Sequence, residues 1–264
     1  LDPNSIPLPF NPDAYELKEL NTHTEKDSTS KQLCFAIEWD DGVIHPHPPI
    51  TRALKEVKAK MEAAGHKVIT WKPLNHALGN EITDKIYVAD GGEDIRRCCA
   101  ESGEPSMSSI ADLGEGGSAP VDASVYASWQ VAQQRDQYRK DYLDHLMASA
   151  SETGTGRPVD AIIAPTVNSA SCYHNRNDYY GYTKLWNLLD YPVMVMPITH
   201  VDVEKDKAHK LYDAYSAFDQ DMWDRYSEKE WKGLPVCLSL IGKRYKDEEL
   251  MGLAKCFVEA GATL

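Results

Sequence analysis

The 264-residue sequence is long enough to bury a substantial core, as one large domain or two small ones. Its 28 basic and 41 acidic side chains leave a net charge of −13, and lysine and arginine fall singly or in pairs such as Arg96-Arg97, which argues against a nucleic-acid partner. No run approaches the roughly 18 apolar residues that cross a bilayer, and residues 1–20 lack the pattern of a signal peptide, so the expectation is a cytoplasmic protein without a membrane span.

Residues 1–30, with Pro3, Pro7, Pro9 and Pro12 among Asn, Ser, Thr and charge, read as an irregular arm that takes its order from whatever it lies on. Leu33–Ile37 is a compact apolar run that predicts a buried strand, stopped by the turn signal Asp40-Asp41-Gly42. Pro48-Pro49 open a helix with a stripe at Ile50, Leu54, Val57, Met61 and Ala64, and Gly65 is placed to end it. His66–Trp71 follows as a strand. Strand, helix, glycine, strand predicts a parallel βαβ unit with a right-handed crossover.

Helical character over 76–100 places Ile82, Ile86 and Ala89 on one face, and the Gly, Pro and Ser of 101–120 predict a long loop. A helix from Asp122 to about Ser149 would pack through Val125, Trp129, Ala132, Tyr138, Tyr142 and Leu146. Asp160–Thr166 reads as a short strand, 183–190 as one or two helical turns, and Pro192–Pro197 as a strand buried on both faces. Leu211, Tyr215, Phe218, Met222 and Tyr226 make a helical stripe; Leu234–Ile241 is a strand, and Glu248–Ala260 a helix packed through Leu250, Leu253, Ala254, Phe257 and Val258.

Chemistry is sparse. There is no G-x-G-x-x-G, P-loop, H-E-x-x-H or G-x-S-x-G. His45-Pro46-His47 has the alternation of a metal pair, but its prolines favour a turn; Cys172 with His174 has no orienting partner, and Asp40-Asp41 reads as a turn. The six cysteines lack disulfide-scaffold spacing; Cys34, Cys237 and Cys256 read as small buried hydrophobes and Cys98-Cys99 is not C-x-x-C. Three strand ends carry polar clusters, Pro165–Asn168, Pro197–His200 and Gly242–Arg244, and clefts in α/β sheets form beyond strand ends. The aromatic stretch Ser171–Asn187 is a candidate wall for such a cleft.

In order, Ile37–Ile50 (IEWDDGVIHPHPPI), Arg52-Ala53-Leu54, Ala64-Gly65-His66, Val159–Thr166, Tyr182–Pro197 and Gly233–Gly242 resemble the C-terminal part of amidase-signature hydrolases of the fungal acetamidase-like or general amidase kind, over about residues 31–264. The resemblance implies an α/β fold with a mixed central sheet covered by helices, of which 31–264 form the C-terminal part of a single domain. It implies hydrolysis of a carboxamide to carboxylic acid and ammonia or amine through an acyl-enzyme, with no metal or other cofactor. The family's nucleophilic serine, cis-bonded bridging serine and lysine match nothing in this sequence. Ser106–Ser109 lacks the required glycine framework, so no catalytic residue is assigned and the chain alone is expected to be inactive.

The resemblance instead implies cleft support by Pro165, Thr166, Asn168, Tyr173, His174, Tyr182, Trp186, Met196 and Ile198. The partners expected are a small-molecule amide and the N-terminal half of the same amidase; homo-oligomerisation stays open. A non-catalytic interaction fragment and an amidotransferase subunit portion are the alternatives.

Overall fold

A computed structural model describes residues 9–21, 32–105, 124–174 and 176–264. The expected loop beyond residue 105, including Ser106–Ser109, lies outside the described residues, as do the first eight residues and 22–31 of the arm.

Five strands form one mixed sheet in the order β2-β1-β3-β5-β4. They are β1 (Cys34–Ile37), β2 (Lys67–Thr70), β3 (Ala161–Pro165), β4 (Val193–His200) and β5 (Pro235–Ile241). β1 pairs in parallel with β2 and β3, whereas β5 runs antiparallel to both β3 and β4. The expected βαβ unit is therefore present: α1 (Pro48–Ala63) joins β1 to β2, with two prolines at its start, and ends two residues before Gly65, whose φ is 91°.

Side chains alternate across a strand, so β1 feeds two cores. Phe35 and Ile37 join Leu54, Val57 and Met61 of α1 and Leu253 and Phe257 of α2 (Asp247–Glu259) on one face. Cys34 and Ala36 join Ile82 of α3 (His76–Tyr87), Tyr138, Tyr142 and Leu146 of α4 (Val125–Ala148), and Leu185 and Trp186 of α5 (Gly181–Leu189) on the other. Helices thus cover both faces.

Several expected packing faces are narrower than the sequence suggests. The 76–100 segment breaks at Gly91 and Gly92, both left-handed, into α3 and α6 (Glu93–Ser102), leaving Ile82 buried but Ile86 and Ala89 exposed. In α4 only Tyr138, Tyr142 and Leu146 are buried; Val125 and Trp129 are 66% exposed. β4 is an edge strand with Val193 and Val195 exposed, so burial on both faces is incorrect for it. The stripe from 211 to 226 contracts to α7 (Ala217–Asp224), and Tyr215 and Phe218 are exposed while Met222 and Tyr226 are buried. In α2, Val258 turns to solvent.

The arm is not irregular throughout. Pro12–Tyr15 form one helical turn capped by Asn11, whose Oδ1 accepts the N–H groups of Asp13 and Ala14. This turn lies on α2, where Gly252 permits the contact: a Cβ there would stand 2.2 Å from the Tyr15 carbonyl oxygen and 2.8 Å from Leu17 Cδ2. Gly252→Ala sets a helix-propensity gain of about 1 kcal/mol against an overpacking cost of about 1–3 kcal/mol. The expected result is a lower melting temperature and faster proteolysis within 9–21; a higher melting temperature with an unchanged arm would show that the contact does not order it.

Candidate active-site cluster and cleft

Because β1 and β3 are parallel, Glu38–Asp41 and Pro165–Asn168 leave the sheet at the same end. β4 exits there too. Gly242–Arg244 does not: β5 is antiparallel, so this cluster emerges at the opposite end, where Gly242 N–H donates to the Pro192 carbonyl.

Asp41 organises the exit from β1. Its Oδ1 accepts the N–H groups of Val43 (2.8 Å) and Ile44 (2.9 Å), and its Oδ2 accepts the Tyr179 hydroxyl. Tyr182 supports the same turn from α5: its hydroxyl donates to the Ile44 carbonyl at 2.5 Å and accepts the Asp41 N–H at 3.3 Å. Asn80 of α3 donates to Tyr179 Oη at 3.3 Å. Gly181 makes the convergence possible, since a Cβ there would lie 2.2 Å from Tyr179 Oη and 2.6 Å from Asn80 Nδ2. Burial raises the Asp41 pKa to about 6, although the hydrogen bonds from Tyr179, Ile44 and Val43 favour its carboxylate.

Three residues back, Glu38 is fully enclosed. Burial first, then the nearby Asp41 and Asp40, push its pKa well above the ordinary carboxylate range. Its Oε1 lies 3.7 Å from His76 Nδ1 and its Oε2 has no hydrogen-bond partner. Burial also lowers His76 to about 3, and its Nε2 lies 3.2 Å from the Tyr142 hydroxyl, which accepts Trp71 Nε1–H at 3.1 Å. Both shifts favour neutral forms, so Glu38 and His76 make a buried acid–imidazole contact rather than an ion pair.

His45 and His47 diverge. His45 Nδ1 lies 2.6 Å from Asp219 Oδ2, its N–H donates to Asp219 Oδ1, and its ring stacks on Tyr215 at 4.2 Å. His47, lowered to about 4 by burial and hence neutral, has Nε2 2.9 Å from the Met222 carbonyl among Trp223, Tyr226 and Trp231. Among the described residues no group of three or more His, Cys, Asp or Glu side chains is arranged to hold a metal ion.

Beside this cluster opens a cleft of about 620 Å³ between α3 and α5, lined by Asn80, Asp84 and Tyr87 on one side and Tyr179, Tyr180 and Lys184 on the other, with Phe218 at its edge. Lys184, nearly buried, is ion-paired with Asp84.

The expected support residues distribute unevenly. Thr166 accepts the Ser239 hydroxyl at 3.0 Å, and Asn168, buried, accepts the His47 N–H through its carbonyl while its Nδ2 has no partner. Tyr182 is buried beneath the Asp41 turn. Pro165 ends β3, Trp186 packs on His76 and Tyr142, and Met196 and Ile198 belong to the core on the α1 face. Tyr173 and His174 are exposed; the Tyr173 hydroxyl donates to Glu230, and neither residue lines the cleft. Sequence reasoning missed Glu38, His76, Asn80 and Lys184; no local pattern marks these polar residues, and their buried positions single them out.

Glu38 supplies a pH test. Its folded-state pKa is raised, so the folded protein keeps a proton that the unfolded chain releases, and stability falls as pH rises above the ordinary glutamate value. Glu38→Gln fixes the neutral form. The melting temperature of the variant relative to the parent is therefore expected to climb between pH 4.5 and pH 8; a difference independent of pH would show that this carboxyl does not titrate as described.

Residues 7–251 match the family model described as Amidase. The acetamidase of Aspergillus oryzae is 35% identical over 254 residues, covering 96% of this chain and 45% of that protein. Amidase 1 of Gibberella moniliformis is 34% identical, covering 96% and 46%. The solved structure of a fatty acid amide hydrolase superposes with a TM-score of 0.79 at 30% identity, over 98% of this chain and 43% of that one. The chain thus spans just under half the length of these relatives, and within that span it belongs to the amidase family.

Proposed function

We propose that this chain is the C-terminal, substrate-facing portion of a serine amidase that hydrolyses a carboxamide to a carboxylic acid and ammonia or an amine, with serine, cis-bonded serine and lysine supplied by polypeptide outside these 264 residues. The observation that carries this reading is the match of residues 7–251 to the amidase family, with curated relatives named acetamidase and amidase. The open edge of the sheet supports it. Val193 and Val195 on β4 stand exposed, and among the described residues no strand pairs with the outer side of β4. Exposed apolar edges of this kind call for cover.

In the reaction the serine oxygen attacks the carboxamide carbon, the C–N bond breaks, and the departing nitrogen takes the proton relayed by lysine and the bridging serine. Backbone N–H groups hold the developing oxyanion, and water then cleaves the acyl–serine ester. In this division of work the present chain shapes the wall around the amide. The neutral Glu38 and His76 and the Asp41 turn hold that wall in place rather than take part in proton transfer.

Purified alone, the 264-residue chain is expected to show no amide hydrolysis; co-expressed with the preceding half of a fungal acetamidase relative, it should regain turnover of a simple amide by about a thousand-fold or more above background, as a serine-based machinery restores. Hydrolysis by the chain alone would overturn the division proposed. Stable association without activity would instead favour a non-catalytic interaction fragment, and transfer of ammonia to an acceptor acid in place of its release would favour an amidotransferase portion.

A further inference from the structure

The hydrogen bonds on either side of Glu38 fix where its neighbours' protons lie. Tyr142 accepts Trp71 Nε1–H at 3.1 Å, so its own hydroxyl is left to donate to His76 Nε2 at 3.2 Å. His76 is neutral and carries one ring proton, which then sits on Nδ1 and faces Glu38 Oε1 at 3.7 Å. On the other side, Tyr179 gives its single proton to Asp41 Oδ2, so its oxygen can face only an N–H of Asn80. That fixes the Asn80 amide: Nδ2 lies toward Tyr179, and Oδ1 is enclosed without a partner.

Glu38 stands between these two sides. Its one ionic contact among the described residues is the neutral His76, and an enclosed carboxylate with no cation is costly, so Glu38 keeps its proton. With the His76 N–H on Oε1, that proton belongs on Oε2, which is also enclosed and without a partner. An orphaned donor and an orphaned acceptor therefore share this region. His76 and Asn80 lie one turn apart on α3 and so share a face. Glu38 reaches both flanks: the hydroxyls of Tyr142 and Tyr179 are pushed up first by burial and in part by this carboxyl.

We propose that Glu38 is a hydrogen-bond donor, giving Oε2–H to Asn80 Oδ1 directly or across one enclosed water, and that this bond sets the Asn80 amide and, through it, Tyr179 on the cleft wall. Every group from Trp71 to Asp41 then donates in the same sense to the next. Glu38 and Asn80 are positioning residues for the Asp41–Tyr179 contact. The assignment goes beyond the amidase reading and does not depend on it.

Gln and Met are close to Glu in size, but only Gln carries an N–H in place of the acid O–H. In infrared difference spectra of the 264-residue chain at pH 7, where Asp41 is mostly ionised, Glu38→Gln is expected to remove a carboxylic-acid C=O band. Asn80→Leu should move that band to higher frequency as the acid loses its acceptor. Hydrogen exchange at the Val43 and Ile44 amides, which donate to Asp41, reads the far end of the chain of bonds. Exchange there is expected to stay within about two-fold of the parent in Glu38→Gln and to rise about ten-fold or more in Glu38→Met. No acid band lost in Glu38→Gln, a band unmoved by Asn80→Leu, or equal exchange in the Gln and Met variants would overturn the proposal. If Asn80→Leu does not fold, the contrast between Gln and Met decides alone, because it leaves Asn80 in place.

Discussion

One carboxylate sets the geometry on which the rest of this end of the molecule depends. Asp41 gathers two backbone N–H groups from the turn that follows β1 and the hydroxyl of Tyr179 from the segment that enters α5, more than a hundred residues later. Through Tyr182 and Asn80 the same contact draws in α5 and α3. α3 and α5 also meet through the apolar core of Ile82, Leu185 and Trp186 and through the Lys184–Asp84 ion pair, and the Asp41 contact adds the tie from both helices to the turn after β1. The constraint is polar and local, yet it places three distant pieces of chain. A carboxylate with several donors suits that task, since charge-assisted hydrogen bonds are short and directional.

The arrangement has an energetic cost, visible in the raised pKa values of Glu38 and Asp41. Burial disfavours both charged forms; Asp41 and Asp40 further disfavour that of Glu38, and Asp40 that of Asp41. Asp41 meets the cost with hydrogen bonds. Glu38, which lacks them, is held neutral instead. Such a pair is a poor source of stability and a good way of fixing a single conformation, because only one orientation of the turn satisfies Asp41. Another buried carboxylate is paired directly: Arg52 holds Asp206 through two nitrogens, at 2.6 and 2.8 Å, and so ties α1 to the chain beyond β4.

The βαβ unit was legible in the sequence because its signals agree at every level: an apolar run, two prolines at a helix start, a stripe of three- and four-residue steps and a glycine placed to end the helix. Tyr182, Trp186, Met196 and Ile198, expected from the resemblance as cleft support, are buried in the structure. What the sequence did not reveal depends on neighbours it cannot display. The pattern Val-Met-Val-Met is the same whether a strand is central or at an edge, so the exposure of Val193 and Val195 was invisible. The aromatic stripe at 211–226 has helical spacing, but Tyr215 is held outside α7 by its hydroxyl bond to Asp40 and its N–H bond to Asp219. Glu38 and His76 look like ordinary surface residues until the sheet and α4 close over them. The resemblance to amidases rested on ordered short phrases rather than on any reactive group, and the family match and the superposition on a fatty acid amide hydrolase bear that resemblance out.

The dependence of this region on Asp41 and Tyr179 acting together is open to direct measurement by a double-mutant cycle with Asp41→Asn and Tyr179→Phe, followed by denaturant unfolding at pH 8 and pH 5. Asp41, with a pKa of about 6, is ionised at the higher pH and largely protonated at the lower. A coupling of about 1–3 kcal/mol at pH 8 that shrinks at pH 5 is the result expected for a charge-assisted contact. Additivity within about 0.5 kcal/mol at both pH values would contradict the account, since it would mean that the two residues stabilise the fold independently.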